Sequence, residues 1–179
     1  MAKGANQKLK ILYLMKILME RTDENHSITM PEIISALEAY GISAERKSIY
    51  SDIESLRTYG LDIVGEAEGK TFYYRVVDRT FELAELKLLV DSVQSAKFIT
   101  EKKSNELIKK IESLSSRYEA QQLQRQVYTS NRIKTLNESI YYNVDLLHDA
   151  INENSQIRFH YFQWNADKKW NFVKTGPIM

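Results

Sequence analysis

The chain has 179 residues, a length that supports one or two small domains, and 43% of them are hydrophobic, an ordinary fraction for a globular protein. Its 25 Lys and Arg balance 24 Asp and Glu, so net charge alone does not point to a polyanionic partner. There is no cysteine, which excludes a disulfide framework and a thiolate metal site. No apolar run is long enough to span a bilayer and no charged-then-apolar signal segment opens the chain, so a cytoplasmic location is expected. The first predicted element is Ile11 to Met19, apolar on one side and interrupted by Lys16.

The stretch from Ile28 to Arg75 is the most patterned. Thr29 is an expected N-cap with Glu32 three residues on, a capping box, and Pro31 is tolerated because first-turn N–H groups lack helical partners. Ile33, Ile34, Leu37 and Tyr40 follow at helical spacing, and Gly41 supplies the stop. Ser43 is expected to cap a second helix whose core face is Ile49, Ile53 and Leu56, ending at Gly60. Asp62 to Glu66 and Thr71 to Val77 are β-prone, and Ala67-Glu68-Gly69-Lys70 between them fits a hairpin loop.

Helix, glycine turn, helix and hairpin make a winged helix-turn-helix, a fold that reads duplex DNA with the leading end of its second helix. Arg46 and Lys47 are the expected base readers. Ser48, Tyr50 and Arg57 are placed at phosphates, Ser51 shares their surface, and Lys70, Thr71, Tyr73 and Arg75 ride on the hairpin, with Lys70 and Arg75 toward phosphate or the minor groove. Against this, helix-glycine-helix also occurs in plain helical bundles. Residues 1–80 carry eleven basic and twelve acidic side chains, so the charges must be segregated by face or affinity must come from a dimer.

The segment Ser43-Ala-Glu-Arg-Lys-Ser-Ile-Tyr-Ser-Asp-Ile-Glu-Ser-Leu-Arg resembles the recognition helix of WYL-domain transcriptional regulators, which carry a DeoR-like winged helix-turn-helix. The shared core is the basic pair Arg46-Lys47, then Ser48-Ile49-Tyr50, Asp52-Ile53 and Leu56; Ser51 stands where that family often has Arg. The segment from Phe81 to Thr100 is similar to the helices that follow the wing in such proteins, and Ser155 to Trp164 is similar to the first strand of the WYL domain. The Trp-Tyr-Leu tripeptide that names the domain is absent, and the sequence stops soon after that strand, which implies a truncated WYL domain. The resemblance implies a regulator that answers to an effector when full length.

Beyond the hairpin the pattern is helical. Leu83, Leu86, Leu89, Val90 and Val93 mark one amphipathic helix. Thr100 caps another with Leu107, Ile108, Ile111 and Leu114 on its apolar face and Lys102, Lys103, Lys109 and Lys110 on a solvated one. Glu119 to Val127 is Gln-rich and less periodic. Asn137 and Ser139 open a helix with Ile140, Val144, Leu147 and Ile151 as its seam, Asn154-Ser155 is a turn, Ile157 to Phe162 alternates as a strand, Asn165 to Lys169 is a hairpin loop, and Trp170 to Phe172 is the return strand. His26, His148 and His160 lie in separate segments without metal spacing, Asp145 and His148 fit a surface pair, and no Gly-rich phosphate loop occurs, so no enzyme and no cofactor are expected. The aromatics Phe159, Tyr161, Phe162, Trp164, Trp170 and Phe172 read as core of a small sheet.

The expected architecture is mainly α with small β elements: a winged helix-turn-helix over 1–79, a helical linker or dimerisation segment over 80–138, and the start of a WYL-like domain over 139–179. The expected function is sequence-specific DNA binding in transcription regulation, as a homodimer. The alternative is a winged fold that binds protein instead of DNA.

Overall fold

The computed structural model describes residues 7–127, 134–164 and 170–178, with side chains over 8–124 and 134–158. The molecule is mainly helical. It divides into two compact units, one made of residues 1–95 and 104–132, the other of 96–103 and 133–179. The expected middle segment, 80–138, is thereby shared between them.

The first unit opens with a single 3-10 turn, Gln7–Leu9, that runs into α1 (Lys10–Arg21). Strand β1 (Ile28–Thr29) leads directly into α2 (Met30–Ala39). The capping box expected there is present: Glu32 accepts from the Thr29 N–H at 2.8 Å and from its hydroxyl at 2.7 Å. Gly41 ends α2 with φ +71, its N–H donating to the Glu38 carbonyl while Ile42 N–H reaches back to Leu37. Helix α3 (Arg46–Tyr59) ends at Gly60, φ +113, in the same way.

The start of α3 differs from expectation. Ser43 does not cap it. The first intrahelical bond runs from Ile49 N–H to the Glu45 carbonyl, so Glu45 holds the cap position in extended conformation, and its side chain makes no capping bond. Ile42 is fully buried in the core and anchored to the end of α2, and residues 43–45 lead from it to the helix without regular structure, Glu45 in extended conformation.

Strands β2 (Ile63–Glu68) and β3 (Thr71–Val76) pair antiparallel, and β1 adds to the other side of β3, giving the order β1-β3-β2. The expected four-residue loop is corrected to two. Glu68 pairs with Thr71, and Gly69 takes φ +62 at the first turn position, which matches the right-handed strand twist and tightens the hairpin. β1 was not anticipated, because two residues carry no periodicity. One apolar cluster fills the space between α1, α2, α3 and the sheet, built on Leu14, Leu18, Ile33, Leu37, Ile49 and Ile53. At mid-strand, Gly65 lies under the Phe72 ring, where an added Cβ would come within 2.5 Å of Cε1.

Helices α4 (Leu83–Ser95), α5 (Glu101–Glu112) and α6 (Arg117–Val127) follow. Leu86, Val90, Ile108 and Leu123 form a second apolar cluster, which shares no residue with the first. Thr100 caps α5 as expected, accepting from Lys103 N–H at 3.3 Å. Leu114, expected on the apolar face, is exposed because the helix ends two residues before it.

The second unit contains α7 (Ser139–Asn152) and a hairpin of β4 (Ile157–Trp164) and β5 (Trp170–Ile178), paired antiparallel from Ile157 opposite Ile178 with a register shift between Tyr161 and Phe162. The hairpin is longer than the sequence suggested. Asn137 Oδ1 accepts from Ser139 N–H at 3.0 Å at the start of α7, and Asn154 at φ +50 closes the helix. The seam assigned to α7 is not buried: Ile151 is 70% exposed and the helix buries none of its residues. Periodicity reports an amphipathic helix; it does not report what covers the face. The loop Asn165 to Lys169 and the side chains of the six sheet aromatics lie outside the described residues.

Candidate nucleic-acid interface

Helix α3 sorts its polar side chains by direction. Ile49, Ile53 and Leu56 point into the core, which leaves positions 46, 47, 50, 51, 54, 55, 57, 58 and 59 exposed. Arg46 and Lys47 sit in the first turn, both exposed, and neither has an ion pair or hydrogen-bond partner among the described residues. Ser51 is exposed, its carbonyl accepting the Ser55 hydroxyl at 2.9 Å. Ser43 is exposed just ahead of the helix.

Ser48 faces inward. Lys10 of α1 reaches its hydroxyl and also lies 2.8 Å from the Asp52 carboxylate, one helical turn on. Both members of that ion pair are largely buried, so Lys10 fixes the leading half of α3 and removes one negative charge from its surroundings. Nothing in the local sequence signals this contact, which spans 38 positions.

Arg57 is similarly committed. Its Nε donates to the Ile63 carbonyl at 2.8 Å and Nη1 meets Glu54 Oε1 at 2.5 Å, so it ties the last turns of α3 to the start of β2. The sequence reading placed Arg57 at a phosphate; the i, i+3 spacing of Glu54 and Arg57 is the signal that could have found this pair. On the hairpin, Arg75 forms two parallel bonds to Glu66, at 2.7 and 2.9 Å, across a diagonal of β2 and β3. The Arg75 hydrogen bonds, and after them its charge, hold the Glu66 carboxyl below the usual range. Lys70 and Thr71 remain exposed at the tip; Tyr73 is half-buried.

Between α3 and the hairpin lies a cleft of about 350 Å³ lined by Tyr50, Ile53, Glu54, Arg57, Phe72 and Tyr74. Tyr50 is 45% exposed, and its hydroxyl is hydrogen-bonded to Tyr74. Burial pushes the Tyr74 phenol up, with Tyr50 adding to the shift. Of the sequence-derived residues, Arg46, Lys47, Ser51 and Lys70 face outward, Ser43 and Tyr50 are exposed but also engaged within the protein, and Ser48, Arg57 and Arg75 are committed to internal partners.

Among the described residues, no cluster of three His, Asp or Glu side chains could hold a metal ion, and no helix is long and apolar enough to cross a membrane. Comparison with protein-family models, curated proteins and solved structures found no match to this chain.

Proposed function

We propose that the chain is a sequence-specific duplex-DNA-binding transcriptional regulator. In this reading α2 and α3 are a helix-turn-helix and β2–β3 is its wing. The observation that carries it is the charge sorting on α3: Asp52, Glu54 and Arg57 are balanced by partners within the protein, while Arg46 and Lys47 stay uncommitted at the leading end. A helix that offers an Arg, a Lys, a tyrosine and a serine from its first two turns suits the major groove, with Arg46 able to address a guanine edge in bidentate fashion. Lys70 at the tip of the wing suits a backbone phosphate. The resemblance of Ser43 to Arg57 to the recognition helix of WYL-domain regulators supports the same reading, and with it a homodimer and, in β4–β5, part of an effector-binding domain.

Few uncommitted cations per copy mean a shallow salt dependence, about 2–3 units of log–log slope for one copy, and affinity shared between two half-sites. The test is a titration of selected and random duplexes at several salt concentrations. Preferential, salt-dependent retention of one sequence is the expected result; no retention of any duplex at low salt overturns the reading. Near-neutral charge and the aromatic cleft of Tyr50, Phe72 and Tyr74 favour the second reading, a protein-binding module, and that outcome would leave it standing.

A further inference from the structure

The two apolar clusters of the first unit share no residue, and a set of polar side chains lies between the elements that carry them. Helix α6 contacts both α1 and α4. At its N-terminus the Ser116 hydroxyl donates to Asp23 Oδ2 at 2.5 Å, with both side chains buried. The other carboxylate oxygen, Oδ1, accepts from His26 Nδ1 at 2.7 Å and from Asn25 N–H at 2.9 Å. The His26 ring lies flat on Tyr118, centroids 3.7 Å apart and planes within 4°. Ser116 and Glu119 cap α6 reciprocally, at 3.1 and 3.2 Å, so the residue that caps the helix is also the one that grips Asp23. Arg79 completes the joint. Its side chain is 7% exposed, donates to the Met19 and Thr22 carbonyls at the end of α1, and lies 4.0 Å from Glu119.

Separating packed apolar surfaces exposes them to water with no compensation. Separating a polar joint exchanges each protein hydrogen bond for one to water, so its opening is far less costly than the opening of either core. We propose that the joint of Asp23, His26, Arg79, Ser116, Tyr118 and Glu119 is a latch, from which α6 and the α4–α6 group undock as a folded unit while both apolar clusters stay intact. Closed, it fixes the turn that ends α1, the helix whose Lys10 holds the leading half of α3. The latch does not depend on the DNA reading; it concerns which parts of the chain move together.

Hydrogen–deuterium exchange on the full chain, resolved by residue, tests this without DNA. Amides of residues 23–26 and 116–120 should exchange at least about tenfold faster than those of Leu18, Ile53 and Val90, with a weaker denaturant dependence, the mark of a partial opening. Ser116→Ala should speed the joint's amides by a further tenfold or so and leave Ile53 and Val90 unchanged. Tyr118→Ala, which removes the ring stacked on His26 together with an exposed contact to the neighbouring Arg117, should act in the same direction and more weakly, and it serves if Ser116→Ala fails to fold. Joint and core amides that exchange at one common rate and respond equally to denaturant would show that the first unit opens only as a whole, and would overturn the latch. So would a Tyr118→Ala variant whose joint amides are unchanged.

Discussion

At the scale of single residues, the informative distinction is between side chains that point out and side chains already in use. Arg46→Ala removes an exposed guanidinium with no internal partner, so the fold should keep its stability. Affinity for a selected duplex should fall by about 1–3 kcal/mol if the residue reads a guanine. Equal losses on selected and random duplexes, measured side by side, would count against base reading. Arg57→Ala should behave oppositely and lower the melting temperature, because the Ile63 carbonyl and Glu54 lose their donor. Asp23 offers a pH signature. Burial alone pushes its carboxyl up, but the hydrogen bonds from Ser116, His26 and Asn25, with the charge of His26, outweigh it and the net shift is down from 3.8. A carboxyl depressed on folding adds stability that is fully present above its unfolded value and is lost as pH falls through the folded one. Denaturation at a series of pH values should show stability falling below about pH 4 and a shallower fall for Asp23→Asn. Parallel curves for the two proteins would remove Asp23 from the account.

At the scale of elements, terminators and caps were the most legible feature. Thr29 with Glu32, Gly41, Gly60 and Thr100 act where local chemistry places them, because a cap depends on three or four adjacent residues. Thr29→Ala should cost about 0.5–2 kcal/mol in chemical denaturation, the range for losing such a cap; no loss would mean that α2 is held by packing alone. The start of α3 was misjudged because the preference of Ser43 for a cap is local, whereas the buried Ile42 is anchored to the end of α2 and residues 43–45 lead from it to the helix. The inward turn of Ser48 and the strand β1 were not legible either: one depends on Lys10 from another helix, the other on pairing Ile28 with Tyr74 and Thr29 with Tyr73, far along the chain. The hairpin also changes what its own cations can do. Arg75 is bound to Glu66, so Lys70→Ala alone should lower the salt slope of DNA binding by about one unit, and Arg75→Ala should change it little. A large effect of Arg75→Ala on that slope would mean that its pairing with Glu66 opens in the complex.

At the scale of the whole molecule, periodicity located the helices but not their grouping. Residues 96–103 belong with 133–179, although they are separated in sequence by the rest of α5 and by α6. No run of residues announces such a division, because it depends on which surfaces meet. The amphipathic seam of α7 shows the same gap between pattern and burial: Leu147 and Ile151 have helical spacing and remain exposed. The dimer proposed above belongs to this scale. Sedimentation over a concentration series should give twice the monomer mass at tens of micromolar. A monomer that binds its site without cooperativity would leave the proposed dimer without support.

The Phe72 ring over Gly65 reaches beyond this one chain. A Cβ at position 65 would meet the Phe72 ring, which also lines the cleft beside Tyr50, so the ring must shift to admit one. The two positions are therefore bound in their evolutionary histories. In a set of related sequences they should covary, with glycine at 65 accompanying an aromatic at 72, and larger residues at 65 appearing only where 72 has become small.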